Sequence, residues 1–207
     1  MRQWWIATFI FSSLSQLSAV ECSAIRSGFE VSGRAAAYIP SSHKIREIYG
    51  TAWGDYQLEL SQSFLRHYSM WLGAQYTYSN GHALSCHKCP HPRTHIDYIP
   101  ISLGARYNFY LGHCFNLYLG AGITYGFVYI HDHWPLVHRH LSQSGFGGIF
   151  KLGAKYYFNR HLFIETFADY RLQRFSFHKS HSLNHFVGRD HLNLDGTLLG
   201  GGIGARF

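Results

Sequence analysis

The feature that most constrains this chain is a regular alternation of apolar and polar side chains. In segment 115–130, Leu117, Leu119, Ala121 and Ile123 are separated by polar or small residues or, at position 118, by a tyrosine. Successive side chains of a β-strand point to opposite faces, so a period of two predicts strands that each have one apolar face. Eight segments carry this pattern: 28–39, 54–65, 70–79, 96–110, 115–130, 144–158, 162–173 and about 192–207.

The connections between the predicted strands alternate in length. Those at 66–69, 111–114 and 159–161 are short, and those at 40–53, 80–95, 131–143 and 174–191 are long. In a transmembrane barrel the periplasmic turns are short and the extracellular loops are long. We therefore expect an all-β fold, a closed antiparallel transmembrane β-barrel of about eight strands with both termini in the periplasm. Pro100 has no N–H for a ladder and predicts a bulge or a strand start.

The composition favours a membrane barrel over a soluble one. Charged residues make up 14% of the chain, against about 25% in soluble domains. The charged face of the strands is therefore too sparsely charged to face water, and we expect the apolar face to contact outer-membrane lipid. Aromatic residues gather at the two ends of the strands, as in the interfacial girdles of membrane barrels: Tyr107, Phe109, Tyr110, Phe115, Tyr156 and Phe158 at one end, and Tyr76, Tyr78, Tyr125, Phe127 and Tyr129 at the other.

The net charge of +7 does not indicate a nucleic-acid partner. A nucleic-acid-binding domain carries its basic residues in a patch or along one face and has a recognisable motif. Here the basic residues are scattered along the chain, and no such motif is present. We therefore expect no nucleic-acid binding, and acidic surface lipids or polysaccharides as partners instead.

Residues 1–24 have the three parts of a secretory signal peptide. Arg2 supplies a positive charge, residues 4–11 form an apolar run with one hydroxyl, that of Thr8, and Cys22-Ser23-Ala24 places small residues where a signal peptidase reads them. The apolar run is too short to span a bilayer as a helix. We predict cleavage after Ala24 and a barrel domain of residues 25–207. The alternative is a buried N-terminal helix.

The polar faces of the predicted strands carry acidic and basic residues in near balance. An eight-stranded barrel is just wide enough to be filled by its own side chains, and buried charges need partners. We therefore expect an internal network of ion pairs and hydrogen bonds, with a gated conduit for small solutes as the alternative. The predicted members are Glu30, Arg34, Glu59, Arg106, Lys151, Lys155, Glu165, Asp169, Arg171 and Arg206.

The end of the chain carries a family resemblance. The segment Leu199-Gly-Gly-Gly-Ile203-Gly-Ala-Arg-Phe207 alternates and closes on a terminal phenylalanine. It resembles the last strand of outer-membrane proteins, and the whole mature chain resembles the small eight-stranded outer-membrane β-barrel proteins, OmpW-like and OmpA-barrel-like. The resemblance implies a location in the cell outer membrane. It also implies that Phe207 is an assembly signal recognised by the barrel-assembly machinery.

Four cysteines are present, and three remain after the predicted processing. Cys86 and Cys89 form a C-x-x-C unit, which can be half a metal site, a redox pair or a small disulfide. An exported protein meets an oxidising compartment, so a local disulfide is the interpretation we favour. Cys114 is left without an assigned partner.

Histidine is concentrated in the predicted long loops. His131-x-His133 and His138-x-His140 place pairs of imidazoles within reach of one ion. Because imidazole binds zinc and copper, these four residues are the candidate metal site, and the sequence indicates no other cofactor. The alternative is that histidine merely fills polar loops that contain little lysine or glutamate.

No catalytic motif accompanies these features. A nucleophile elbow and a metalloprotease signature are both absent from the sequence. Asp55, Asp97 and Asp132, with the loop histidines, could in principle form a site at the extracellular rim, but we expect no enzyme. The sequence therefore predicts a surface or structural barrel. The alternatives are a narrow conduit for small or hydrophobic solutes and an adhesive or metal-binding surface protein.

Overall fold

The computed structural model describes residues 28–82, 93–134, 137–176 and 191–207. The predicted signal peptide and the Cys86–Cys89 pair lie outside these ranges. In chain order the elements are β1 (Phe29–Pro40), α1 (His43–Tyr49), β2 (Trp53–Ser63), β3 (Tyr68–His82), β4 (Arg93–Leu111), β5 (Phe115–Trp134), β6 (Val137–Tyr157), β7 (Leu162–Ser176), β8 (His191–Asn193) and β9 (Gly196–Arg206).

These strands form a closed antiparallel barrel. Chain neighbours pair from β1 to β7, β7 also pairs with β9, and β9 pairs with β1 to close the sheet. The short β8 pairs with the end of β7 and continues the line of β9. Between them, Asp195 interrupts the ladder, and its Oδ1 accepts a hydrogen bond of 2.7 Å from the Gln173 backbone N–H. The eight-stranded barrel predicted from the sequence is therefore confirmed, with an interruption in its last strand.

The outer surface of the barrel is apolar over the part that spans the membrane. Leu72, Leu103 and Ile123 lie side by side on β3, β4 and β5, and all three are exposed. Charged side chains occupy the opposite face and are buried in the barrel. This distribution is inside-out for a protein in water and is the one that lipid requires.

Three neighbouring strands are much longer than a membrane span needs. A transmembrane strand requires about 9–11 residues, and β2 has 11. By contrast β4 has 19 residues, β5 has 20 and β6 has 21. The predicted loop at 131–143 is therefore wrong. The pairing of β5 with β6 continues through it as far as Trp134 and Val137, so these strands form a raised sheet above the extracellular membrane interface.

The predicted loop at 40–53 contains the helix α1. Ile45 on this helix is buried against the extracellular end of the barrel interior. Gly50 ends the helix with φ of 85°, a conformation that favours glycine. Its carbonyl accepts a hydrogen bond of 3.2 Å from Trp53 Nε1, which holds the helix over the barrel. No helix in the described ranges is long and apolar enough to cross a membrane.

The prediction of a bulge or strand start at Pro100 is wrong. Pro100 lies inside β4 and is paired with Gly126 on β5. On its other side, Ala74 pairs with Ile101 and Thr77 pairs with Tyr98, without any shift in register. The missing N–H therefore interrupts the ladder with β3 locally and produces no bulge.

Candidate functional site: the filled interior and the raised sheet

The barrel interior contains charged side chains that are almost completely removed from solvent. All ten residues predicted to face inward are buried, and Asp55 joins them as an eleventh. Because six are basic and five are acidic, the interior is close to neutral. They lie in three layers along the barrel axis: a lower layer of Glu30, Lys155 and Arg206; a middle layer of Arg34, Glu59, Arg106, Lys151, Glu165 and Asp169; and an upper layer of Asp55 and Arg171.

The lower layer is built around Glu30, near the periplasmic end of β1. Lys155 Nζ lies 2.6 Å from Glu30 Oε2, and Arg206 Nη2 lies 2.7 Å from Glu30 Oε1. The Tyr157 hydroxyl donates a further hydrogen bond of 2.9 Å to Oε1. Since Arg206 is on the last strand and Glu30 on the first, this cluster also joins the two strands that close the barrel.

The middle layer is built around Glu59. Its carboxylate contacts Lys151 Nζ at 2.6 Å, Arg34 Nη1 at 3.1 Å and the guanidinium of Arg106. Asp169 and Glu165 lie on the other side of Arg34, at 3.4 Å and 3.2 Å from its nitrogens. Three acidic and three basic groups from five strands thus meet at one level of the barrel interior.

The upper layer pairs Asp55 with Arg171 at 3.5 Å. Gln57 Nε2 donates a hydrogen bond of 2.7 Å to Asp55 Oδ1, and Thr77 donates to the other oxygen. Asp55 therefore faces the interior and cannot join Asp97 in a rim site, because Asp97 lies on the outer face of β4. The catalytic arrangement considered from the sequence is not formed by these two residues.

Aromatic rings cover all six interior cations, which is a feature that charge counting did not predict. Arg34 lies 3.5 Å from the ring centroid of Phe167, and Lys151 lies 4.0 Å from that of Trp71. A cation over an aromatic face is stabilised without a second carboxylate. The sequence signal is an aromatic residue at an inward position of a strand. The remaining pairs are Arg106–Tyr118, Lys155–Phe163, Arg171–Tyr98 and Arg206–Tyr157.

Glycines on neighbouring strands make room for the largest of these rings. A Cβ atom at Gly104 or at Gly122 would lie 2.8 Å from Trp71 Cζ2. The two glycines are paired in register on β4 and β5, so together they form a recess for the indole. A larger residue at either position would clash with the indole and with a backbone carbonyl oxygen on the neighbouring strand, that of Ala121 for Gly104 and that of Leu103 for Gly122.

Above the upper layer the interior becomes apolar. Tyr38 packs edge-on against Trp53 with ring centroids 5.3 Å apart, and Tyr98 packs against Phe175 at 6.0 Å. The Tyr38 hydroxyl is satisfied by the Leu194 carbonyl at 2.7 Å. We call this cluster the apolar cap; its buried members at the extracellular mouth are Tyr38, Ile45, Trp53, Ile96, Tyr98, Val128, Phe175, Leu194 and Leu198.

The outer face of the raised sheet carries a small polar cluster directly above the lipid-facing surface. Asp97 Oδ1 accepts a hydrogen bond of 2.7 Å from the Tyr76 hydroxyl and lies 3.0 Å from His95 Nε2. The other ring nitrogen of His95 lies 2.7 Å from Asn80 Oδ1. Tyr78 and Tyr129 flank Asp97 in register, so a carboxylate is set into the outer tyrosine girdle.

The four histidines of the predicted metal site lie on strands. His131 is paired with His140, and His133 with His138, across β5 and β6. The structure describes only the backbone of these residues. Among the side chains it does describe, no three metal-ligating groups come together.

The structure also places three further residues that the sequence singles out, Phe207, Tyr110 and Cys114. Phe207 is exposed, and its backbone makes two hydrogen bonds with Phe29, at 2.8 and 3.2 Å, that join the last strand to the first. Tyr110, predicted for the lower girdle, instead packs inward against Tyr157 and Phe163. Cys114, in the turn between β4 and β5, is disulfide-bonded.

Comparison with known proteins identifies the family. A family profile described as "Outer membrane protein beta-barrel domain" matches residues 7–207. The chain belongs to this family. It is therefore an outer-membrane β-barrel protein, as its lipid-facing surface requires. A search of the curated protein sequences found no match.

Solved structures share the fold of this outer-membrane barrel at low identity. OprG from Pseudomonas aeruginosa is 15% identical with a TM-score of 0.59, covering 89% of this chain and 98% of that one. Neisserial surface protein A is 17% identical, with a TM-score of 0.53 and coverages of 87% and 98%. Ail of Yersinia pestis, solved with the heparin analogue sucrose octasulfate, is 12% identical, with a TM-score of 0.52 and coverages of 87% and 97%.

Proposed function

We propose that this outer-membrane protein is a sealed barrel whose role lies at the cell surface. The observation that supports the proposal is the filling of the interior along its length. Three layers of paired charges occupy the cross-section from the Glu30 cluster to Arg171, and the apolar cap closes the extracellular mouth. Hydrated solutes could pass only if both the charge network and the aromatic cluster moved aside. The proposal therefore favours a barrel that anchors a surface element in the membrane over a pore. It assigns no catalytic role.

Conductance in planar lipid bilayers tests this proposal. The purified chain should give no steady ohmic current, while a large porin in the same bilayer serves as the positive control. The variant Trp53→Ala/Tyr98→Ala removes two of the four aromatic rings of the apolar cap, yet it should also stay closed, because the charged layers below it remain. A conduit would be established if the wild type gave a current that changed in Lys151→Ala, inside the barrel. The same current should then be unchanged in Glu47→Gln, on the exposed face of α1.

Adhesion through the raised sheet is the second candidate. Its support is the length of β5 and β6, about twice what a membrane span needs. Ail of Yersinia pestis, a barrel of the same fold, was solved in complex with a heparin analogue, and this supports a polyanion as the ligand to test. Cells that carry the full chain should then be retained on immobilised heparin. Cells with the raised hairpin removed should not, and equal retention would reject the candidate.

A further inference from the structure

Histidine is sorted by face on the raised sheet. Strand pairing places eight positions in two rows across the raised sheet and the adjoining end of β3, one row above the other. Paired residues of antiparallel strands share a face, and so do residues two apart along a strand. Six of the eight are histidine. We call this set the outer histidine grid: Asn80, His95, His131 and His140 in the lower row, and His82, Arg93, His133 and His138 in the upper row.

The grid lies on the outward face. His95 is on the same face of β4 as Asp97 and, further down the strand, as the lipid-exposed Ile101 and Leu103. The intervening positions on the four strands belong to the inward face, and none of them is histidine. They are Ser79, Ile96, Ile130 and Leu141 in one row and Gly81, Thr94, Asp132 and Arg139 in the next. Loop composition alone would not separate the two faces in this way.

The lower row has the spacing of a metal site. Residues paired across antiparallel strands have Cα atoms about 4.5–5.5 Å apart, which lets two imidazoles reach one ion with metal–nitrogen bonds of about 2.0–2.1 Å. In the lower row His131 stands between His95 and His140. Three consecutive ligand positions across three strands can therefore serve one ion, and the rigid ladder holds them in place.

The described contacts of His95 fit this role. Its Nε2 lies 3.0 Å from Asp97 Oδ1, and a carboxylate behind a histidine commonly orients the ring and makes its other nitrogen a stronger ligand. That nitrogen, Nδ1, contacts the side-chain oxygen of Asn80 on β3 at 2.7 Å, so the His95 ring has to turn toward β5 to share an ion with His131. The Tyr76 hydroxyl holds Asp97 from below at 2.7 Å.

We propose that His95, His131 and His140, with Asp97 behind His95, form a binding site for a divalent transition-metal ion such as zinc or copper on the outer face of the raised sheet. A borderline metal suits neutral imidazole ligands. An anion would require fixed positive charge, and Arg93 is the one grid residue that always carries it. His133 and His138 form a second, two-ligand position in the upper row.

Calorimetric titration of the untagged full chain in detergent at pH 7.5, with zinc and separately with copper, tests the site. We expect a dissociation constant near or below about 1 μM, a range open to a specific site. The variant His131→Gln/His140→Gln should weaken binding at least about tenfold, or about 1.4 kcal/mol. The matched control His43→Gln/His113→Gln removes two histidines elsewhere and should bind like the wild type.

A swap of two neighbouring residues separates position from composition. Exchange of Ile130 and His131 keeps every residue type but moves the imidazole to the opposite face, because one residue along a strand changes face. Copper electron paramagnetic resonance should then report fewer nitrogen ligands than in the wild type. All variants should show the same heat-dependent gel mobility as folded barrels. The proposal is overturned by equal losses in the two double variants, by wild-type binding in the swap, or by no binding tighter than about 1 mM.

Discussion

Toward the periplasm the barrel keeps its charges inside and its apolar residues outside, whereas toward the cell exterior the two faces exchange these roles. Glu59 and its partners fill the middle of the interior, while Tyr38 and Trp53 fill the mouth. On the outside, Leu103 faces lipid, while Asp97 and His95 face outward from the raised sheet. The strands are continuous through the change. The surroundings, lipid below and water above, therefore decide which side chain suits each face.

The two halves also differ in what holds them together. In the membrane, each strand must pair on both sides, because hydrocarbon cannot form hydrogen bonds with unpaired backbone N–H and C=O groups. Above the membrane, water can form these hydrogen bonds, so neighbouring strands need not end at the same level. Strand β2 has 11 residues, whereas β6 has 21. The raised sheet is consequently free to vary without opening the barrel, which is the property a surface-binding element needs.

The largest effect is expected at the periplasmic end, where the barrel closes. If Phe207 is the assembly signal that the family resemblance implies, replacing it with Asp should give a several-fold loss of folded protein in the outer membrane, at the point where its backbone pairs with Phe29. Phe158→Asp puts the same charge near the same rim, at the end of β6, and should cost little. Membrane fractionation with the heat-dependent gel shift measures both. Equal yields of the two variants would show that Phe207 is not a specific signal.

The next effect tests the charged interior. Glu59→Gln leaves Arg34, Arg106 and Lys151 without their shared carboxylate, and breaking a buried charge cluster costs about 3–5 kcal/mol. The measurement is the free energy of unfolding of the refolded barrel in a urea or guanidinium titration. Glu47→Gln is the matched control, since Glu47 is half exposed on α1 and pairs only with His43 at 3.1 Å in the described contacts; it should cost less than about 1 kcal/mol. A stable Glu59→Gln barrel would mean that the network only fills space.

A smaller effect separates the two parts of the outer face directly. Leu103 lies midway between the two girdles on β4. The variant Leu103→Arg places an arginine against lipid and should lower the free energy of unfolding by about 2–4 kcal/mol. His95→Arg introduces an arginine on the same face of the same strand, eight residues toward the cell exterior. It should lower the free energy of unfolding by at most about 1 kcal/mol. Unfolding in lipid vesicles gives both values. Similar costs would show that lipid reaches His95, and the boundary between the halves would have to move outward.

The sequence predicts the lower half better than the upper half, for a physical reason. Alternation of apolar and polar residues reveals a strand only where its two faces meet different surroundings. Around Leu103 they do, and the pattern placed every interior charge on the correct face. Beyond Tyr129 the outer face leaves lipid and becomes polar, so the apolar alternation stops although the strand continues to Trp134. The sequence alone therefore predicts a loop at residues 131–143.

The features of the site that the sequence did not predict depend on contacts between distant segments. Asp55 was visible as a polar residue on β2, but its partner Arg171 is on β7, and only closure of the barrel brings them together. The apolar cap joins Tyr38, Tyr98 and Phe175 from three strands with a helix that the alternation cannot detect. The outer histidine grid likewise depends on register, because residues 95, 131 and 140 are paired by the ladder.

The smallest effect on stability should follow from removing the raised hairpin. Ile130 and Leu141 face each other across β5 and β6, so an Asn-Gly turn can join them in place of residues 131–140, with the turn type that suits two-residue hairpins. The pairs that are lost all lie above the tyrosine girdle. The free energy of unfolding should therefore change by less than about 1 kcal/mol, the scale of exposed substitutions in general. Zinc and copper binding should disappear in the same protein, because His131 and His140 are gone. A loss of several kcal/mol would contradict the division into two halves and would make the raised sheet part of the barrel's own stability.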